Sequence, residues 1–205
     1  MVPWPEPGNP GAIRAIDRPS VWLELIHSCD LRGTVPQIVS TRFIHAQKLY
    51  AYAWMEYGFI KSGELAAVVA LELALLDRYG RLASGAPKKK GSVTPRGSSR
   101  PPMFYELLHY MVESDSLTDG ALPSAQLYGG PVVARLYEGK KEQEARKGTL
   151  IGPPTTLVGI RNGFAHGDPY DGLPWGGLLE LVRDLIEYAY RGMTAEDGLS
   201  TCGRE

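Results

Sequence analysis

Hydrophobic residues recur every three to four positions over most of the chain, which is the spacing of an amphipathic helix. The predicted helices span about 20–29 with Ser20 as N-cap, 37–57, 63–79, 103–114, a segment from 131 onward, 155–166 and 174–191. The alternation of apolar and polar residues that is typical of strands is nearly absent. The pattern therefore predicts an all-α fold, an up-and-down helical bundle.

Glycine and proline, 24 and 16 residues in a chain of 205, are concentrated outside the two long helices. We expect residues 1–36 to form an N-terminal arm with one short helix, 37–192 the helical domain, and 193–205 a polar tail. A second Gly/Pro-rich loop is predicted over 120–131. Inside the domain, the composition of residues 84–102 predicts a flexible basic loop without acidic residues. Its cations are Lys88, Lys89, Lys90, Arg96 and Arg100.

Charge and cysteine content exclude several classes of protein. With 22 basic and 23 acidic side chains, the chain cannot bind nucleic acid through bulk positive charge, so any such contact must be local. Two cysteines exclude a disulfide scaffold, and the scattered histidines predict neither a metal site nor a cofactor. The first residues do not resemble a signal peptide, and no long uncharged apolar run occurs, so we expect a soluble cytoplasmic protein without a membrane partner.

Two charged residues fall on predicted apolar helix faces. Glu72 lies among Leu65, Val69, Leu76 and Tyr79, and Arg161 lies within the arc of Leu157, Ile160, Phe164 and Ala165. Because an unpaired buried ion costs several kcal/mol, such residues need an explanation. They could form a buried structural ion pair, or one could extend to solvent. Alternatively, both could line a polar cleft or a subunit interface.

Two further polar residues follow Arg161. Asn162 and His166 are four positions apart and share the other face of the predicted helix. A guanidinium, a carboxamide and an imidazole would thus surround one helix end. A lone histidine is more often a surface or capping residue than a catalytic one, and the neighbouring Arg161 is what favours the catalytic interpretation.

The segment Leu157-Val-Gly-Ile-Arg161-Asn162-Gly-Phe-Ala-His166-Gly-Asp168 resembles the signature of the HEPN superfamily, commonly Arg-Asn-x-x-x-His at a helix end. The stretch Glu72-Leu-Ala-Leu-Leu-Asp-Arg-Tyr-Gly80 is similar to the acidic, Leu-rich second helix of that fold. The resemblance covers about 37–83 and 103–191, and leaves 1–36 and 84–102 as additions.

The resemblance implies a dimeric helical bundle, often a metal-independent endoribonuclease of toxin–antitoxin, phage-defence or RNA-processing systems. It implies that His166 acts as base or acid, that Arg161 binds the phosphate oxygens, and that Asn162 holds the imidazole or the phosphate. Glu72 would orient Arg161 from behind. The five cations of the 84–102 loop would contact RNA phosphates, unless this loop is only a solvated linker.

Two hypotheses on function follow. The first is an endoribonuclease that uses the RNA 2′-hydroxyl as nucleophile and leaves a 2′,3′-cyclic phosphate, with a homodimer pairing two copies of His166 across a two-fold axis. The second is a non-catalytic HEPN-like module that stabilises a dimer or binds a partner protein, such as an antitoxin or a defence component. The near-neutral net charge favours the second hypothesis. So does Asp168, which stands two positions after His166, where some branches of the superfamily have a tyrosine.

Overall fold

The computed structural model describes residues 1–84, 100–139, 144, 155–165 and 175–193. They form one antiparallel sheet of two strands and a set of helices. In chain order these are β1 Val2–Glu6, β2 Asn9–Ile16, α1 Pro19–His27, α2 Gln37–Tyr52, α3 Phe59–Ser84, α4 Phe104–Glu113, α5 Pro123–Tyr128, α6 Leu157–Ala165 and α7 Leu178–Ala189. Two 3₁₀ turns lie at Asp119–Ala121 and Val133–Arg135.

The N-terminal hairpin corrects the expectation of an all-α fold, and the coarser statement that holds is a mostly helical protein with a small sheet. Val2 pairs with Ile16 and Trp4 with Arg14. The strand signal was missed because prolines at positions 3 and 5 interrupt it. Proline lacks the N–H of a ladder bond, but an edge strand tolerates this, and both strands of a two-stranded sheet are edges.

The structure confirms the helical segments broadly but moves several of their ends. The first helix begins at Pro19, not after a Ser20 cap, because proline at the first helical position already has a helical φ. The second helix ends at Tyr52, five residues before the predicted end, and α3 extends to Phe59–Ser84. The helices predicted over 103–114, 155–166 and 174–191 correspond to α4, α6 and α7.

Two predictions between α4 and α6 differ from the described residues. The predicted loop over 120–131 contains α5, a helix delimited by Pro123 at its start and by Gly129, with φ of +84°, at its end. Where a helix was predicted from 131 onward, the described residues 131–139 contain only the 3₁₀ turn Val133–Arg135; residue 144 is helical, and the rest of 140–150 lies outside the described residues. The Val133 N–H donates to Asp119 Oδ1 at 2.7 Å, a side-chain bond that takes the place of a helical one.

The core lies around α3, which packs against α2, α4, α6 and α7. Its inward face consists of Ala67, Val68, Ala70, Leu71, Ala74 and Leu75, all at 0% exposure. Small alanines allow neighbouring helices to approach from more than one side. The hairpin and α1 belong to the same core, since Trp4 and Trp22 are buried and their rings meet edge to face at 5.0 Å.

Candidate functional site

Glu72 on α3 and Arg161 on α6 form a two-pronged ion pair. Arg161 Nη2 lies 2.9 Å from Glu72 Oε1, and Arg161 Nε lies 3.1 Å from Glu72 Oε2. This is the fork geometry in which a guanidinium matches a carboxylate, and it restricts the rotation of both side chains. The sequence pattern singled out both residues, and the structure brings them together.

The pair lies at the margin of the core, and the predicted apolar face of α3 is only partly right: Tyr79 is buried, but the other three residues are not fully buried. Val69 is 45% exposed, and Leu65 and Leu76 are only half-buried, because the inward face is centred on Leu71. Glu72 therefore stands beside the core face and not in its middle. The exposed fractions of the two side chains, 23% for Glu72 and 34% for Arg161, describe an ion pair that solvent and a ligand can reach.

One edge of the Arg161 guanidinium is not bonded by any residue that the structure describes. Its Nε and Nη2 contact Glu72, whereas Nη1 makes no hydrogen bond with any of the described residues. A guanidinium held along one edge and open at the other can bind an oxyanion without reorienting. The geometry is therefore suited to placing a positive charge on a phosphate or carboxylate oxygen.

The local structure of α6 depends on Thr156. Its hydroxyl accepts a hydrogen bond from the Gly159 N–H at 3.0 Å, which satisfies one of the free donors at a helix start. Leu157 is buried and anchors the helix, and Ile160 and Phe164 are half-buried. This placement turns Arg161 toward α3 and leaves Asn162 exposed.

His166 lies outside the residues that the structure describes, as do Lys88, Lys89, Lys90 and Arg96. The expected proximity of Asn162 and His166 therefore stays a prediction. Arg100 is described: its Nη2 is 2.8 Å from Glu106 Oε1, in an exposed pair at the start of α4. Because exposed pairs of this kind contribute about 0–1 kcal/mol, Arg100 could exchange Glu106 for a phosphate at small cost.

A second ion pair on α3, missed in the sequence, joins Lys61 and Glu64. The Glu64 side chain is fully buried; its Oε2 lies 3.0 Å from Lys61 Nζ, and its Oε1 accepts the Trp175 N–H. Burial raises the pKa of Glu64, while Lys61 and the Trp175 N–H favour its charged form. The i, i+3 spacing of a cation and an acid was the available signal, but the predicted helix began at 63, which left Lys61 outside it.

Lys61 and Glu72 share one side of α3. They are eleven residues apart, which is three turns, or about 16 Å along the helix axis. Arg161 reaches Glu72, and the Phe164 ring lies 6.0 Å from Lys61 Nζ. Two contacts thus join α6 to α3: Arg161 with Glu72, and Phe164 with Lys61.

A row of buried acids on α7 was also missed. Glu180, Asp184 and Glu187 are at most 9% exposed and recur at i, i+4 and i+7, the spacing normally taken for an apolar face. Each has a structural partner: Glu180 accepts from Trp4 and Tyr128, Asp184 from the Ser124 N–H, and Glu187 from Arg32. These acids attach the hairpin, α5 and the α1–α2 connection to α7, so they are structural.

The described residues contain no group of three or more histidine, cysteine, aspartate or glutamate side chains placed to hold a metal ion. None of the helices seen in the structure is long and apolar enough to cross a membrane. Comparison with protein-family models, with curated proteins and with solved structures gives no match for this chain.

Proposed function

We propose that the protein is a metal-independent endoribonuclease whose site is built on Arg161, Asn162 and His166, with Glu72 orienting Arg161. The observation that carries this proposal is the Glu72–Arg161 pair, in which one edge of the guanidinium is held and the other is open. The HEPN-like order of Arg161, Asn162 and His166 in the sequence supports it.

The chemistry requires little more than these groups. The 2′-hydroxyl of RNA attacks the adjacent phosphorus and loses its proton, and the 5′-oxygen of the next nucleotide leaves and gains one. The products are a 2′,3′-cyclic phosphate and a 5′-hydroxyl. An imidazole with a pKa near about 6.5 can carry these protons at neutral pH. The open edge of Arg161 would stabilise the extra negative charge on the pentacoordinate phosphorus.

A single chain supplies one such imidazole, whereas the reaction profits from one base and one acid. We therefore propose a homodimer in which two copies of the Arg161 segment face each other across a two-fold axis. The expected mass in light scattering is that of two chains, and cleavage per chain should fall on dilution below the dimer dissociation constant. A monomer with undiminished activity would contradict this part of the proposal.

The test of catalysis is cleavage of end-labelled total RNA in the presence of EDTA. Arg161→Ala and His166→Ala should each lower cleavage by about a hundredfold or more, the typical contribution of a charge-stabilising or proton-transferring group. Arg42→Ala and His45→Ala, at exposed positions on α2, are matched controls that should cleave normally. A 2′-deoxy substrate should resist cleavage.

The second candidate, a non-catalytic module that binds a partner such as an antitoxin or defence protein, is favoured by the charge balance of the site. Glu72 already neutralises Arg161, and the whole chain carries a net charge of −1. Purified protein that leaves RNA intact, but loses its dimer or its partner when Arg161 is replaced, would support this candidate. Cleavage that persists in both the Arg161 and His166 variants would contradict the endoribonuclease.

A further inference from the structure

A separate cleft lies where the C-terminal ends of α3, α4 and α7 meet. Its volume is about 280 Å³, near the lower limit for small-molecule sites, so it suits a small ligand. The lining residues are Arg78, Tyr79, Leu82, Tyr110, Asp115, Ala189, Arg191 and Gly192. None of them takes part in the Glu72–Arg161 site.

One of its two arginines is already neutralised. The Arg191 nitrogens Nη2 and Nη1 lie 2.7 and 2.8 Å from the two carboxylate oxygens of Asp115. The Tyr79 hydroxyl donates to the same carboxylate, and the guanidinium of Arg191 stacks 3.8 Å from the Tyr188 ring. The bonds from Arg191 and Tyr79, together with the positive charge of nearby Arg78, lower the pKa of Asp115, so that this carboxylate is ionised at neutral pH and paired with Arg191.

Arg78 is different. Its Nε donates to the Ala189 carbonyl at 2.9 Å, which fixes the side chain at the end of α7. Its two terminal nitrogens make no hydrogen bond with any residue in the described part of the chain. The neighbouring Asp77 accepts from the Tyr190 hydroxyl at 2.7 Å. The cleft therefore presents one oriented guanidinium without a bonded acid.

The other wall of the cleft is apolar. The rings of Tyr79 and Tyr110 lie 5.4 Å apart, and Leu82 beside them is 54% exposed. Tyr79 is 3% exposed and its ring is tilted by 41° from that of Tyr110, so the accessible apolar surface consists of the half-buried Tyr110 ring and Leu82, on which a planar ring can pack. A cation and a flat apolar wall within one small cleft are complementary to an anion that carries a ring.

A larger cleft on the neighbouring side of α7, of about 480 Å³, lacks this feature. Each of its three arginines is paired with an acid, Arg32 with Glu187, Arg183 with Asp184 and Arg191 with Asp115. A ligand anion there would share its guanidinium with a carboxylate, which weakens its attraction. The smaller cleft is therefore the better anion site, although it encloses less volume.

We propose that the cleft at Arg78 binds a small organic anion, a carboxylate or phosphate group attached to a planar ring. The anionic group binds the terminal nitrogens of Arg78, and the ring packs on Tyr110 and Leu82. This site is independent of RNA cleavage, because it uses none of the residues assigned to that reaction.

The test is a titration of the purified full chain with benzoate, phenyl phosphate, inorganic phosphate and benzyl alcohol. Binding is measured by calorimetry and by shifts in the NMR signals of residues around the cleft. The ring-bearing anions should bind saturably and more tightly than phosphate or the neutral alcohol. The tighter of benzoate and phenyl phosphate identifies the preferred anionic group.

Arg78→Gln should weaken that binding by about tenfold or more, because it removes a charge-assisted hydrogen bond. Arg81→Gln, at an exposed position on the same helix that does not line the cleft, is the matched control and should bind like the unchanged protein. Circular dichroism verifies that both variants fold. Equal binding by the two variants would overturn the proposal, as would equal affinity for phenyl phosphate, phosphate and benzyl alcohol.

Discussion

At the scale of single residues, the Glu72–Arg161 pair is notable for where it lies. A fully buried ion pair is out of reach of a ligand and can act only on the stability of the fold. In this pair, both side chains are partly exposed to solvent. Its contribution to stability is therefore small, and its effect on the orientation of Arg161 can be measured separately. This difference allows a direct test of whether Glu72 serves the site or the fold.

Replacing Glu72 by Ala should lower the free energy of unfolding by about 1 kcal/mol, because both side chains of this two-pronged pair are partly exposed to solvent. On the proposed endoribonuclease function, RNA cleavage should fall by about ten- to a hundredfold, because an unanchored guanidinium would lose its alignment with the phosphate. Glu72→Asp should restore part of the activity, and Glu24→Ala on the exposed face of α1 is the control. Urea unfolding and RNA cleavage measure the two effects; unchanged cleavage in Glu72→Ala would show that Glu72 does not position Arg161.

Glu180 provides a residue-scale prediction on pH. It is buried, and its Oε1 accepts hydrogen bonds from Trp4 Nε1 at 2.9 Å and from the Tyr128 hydroxyl at 2.6 Å. Burial raises its pKa above the ordinary 4.5, and these two bonds oppose the shift only in part. The folded state thus retains a proton at pH values where the unfolded chain has released it.

Because the folded state binds more protons, Glu180 lowers the stability of the protein as pH rises above about 4.5, up to its folded pKa. Glu180→Gln keeps an acceptor for both donors and has no charge to desolvate. Its unfolding free energy should therefore exceed that of the unchanged protein at pH 7, and the difference should shrink toward pH 4.5. Urea unfolding between pH 4.5 and 7.5 measures this; a difference that does not vary with pH would contradict the prediction.

At the scale of elements, α3 shows how one residue type has opposite effects along a helix. A Cβ at Gly63 would lie 2.7 Å from Tyr50 Cδ2, closer than any normal contact. A Cβ at Gly80 would have nothing within 4 Å. Gly63 is therefore required for the close approach of α2 and α3. Gly80 has no such packing role, and its only effect is to make the helix less stable than alanine would.

Gly63→Ala should destabilise the protein by about 1–3 kcal/mol, the range for overpacking a core. Gly80→Ala, on the same helix, should stabilise it by about 0.5–1 kcal/mol, because alanine has less freedom to lose on folding. Thermal and urea unfolding of the two variants provide the comparison. Shifts of the same sign would show that α2 and α3 do not pack as described.

The two ion pairs on α3 also belong to this scale. Lys61–Glu64 holds the chain at Trp175, and Glu72–Arg161 holds α6. The sequence pattern identified Glu72 because it stands out near an apolar stretch. It did not identify Glu64, because an acid beside a glycine at an expected helix start resembles an ordinary capping residue.

At the scale of the whole molecule, the N-terminal hairpin is part of the core. Trp4 is 1% exposed and contacts Trp22, Tyr50 and Glu180. Pro5 packs so closely on Gly176 that a Cβ there would lie 2.5 Å from Pro5 Cδ. The hairpin and α7 should therefore unfold together with the helices, in a single transition.

Trp4→Phe keeps most of the apolar volume but removes the indole N–H that Glu180 accepts. It should lower the free energy of unfolding by about 1–3 kcal/mol, because the buried Glu180 carboxyl loses one of its two donors and keeps only the Tyr128 hydroxyl. The main transition should shift as one, measured by far-ultraviolet circular dichroism and by tryptophan fluorescence in urea. Trp54→Phe, at a half-buried position, is the control. An unshifted main transition in Trp4→Phe would mean that the hairpin is an independent appendage.

The sequence by itself determined the mostly helical class and the approximate positions of the longer helices, and it singled out Glu72 and Arg161 as charges near apolar stretches. These inferences rest on local spacing, since helical periodicity and a charge near an apolar stretch are visible within a few turns. The same local reasoning misplaced the inward face of α3 and overlooked the hairpin, α5 and the buried acids of α7.

Only the tertiary structure decided the partners. Glu180 meets Trp4 across 176 positions of the chain, and Arg161 meets Glu72 across 89. A buried acid is tolerated when distant donors surround it, and a proline-rich strand is stable when a core covers its other residues. Such compensation depends on which segments pack together, and no local pattern of residues carries that information.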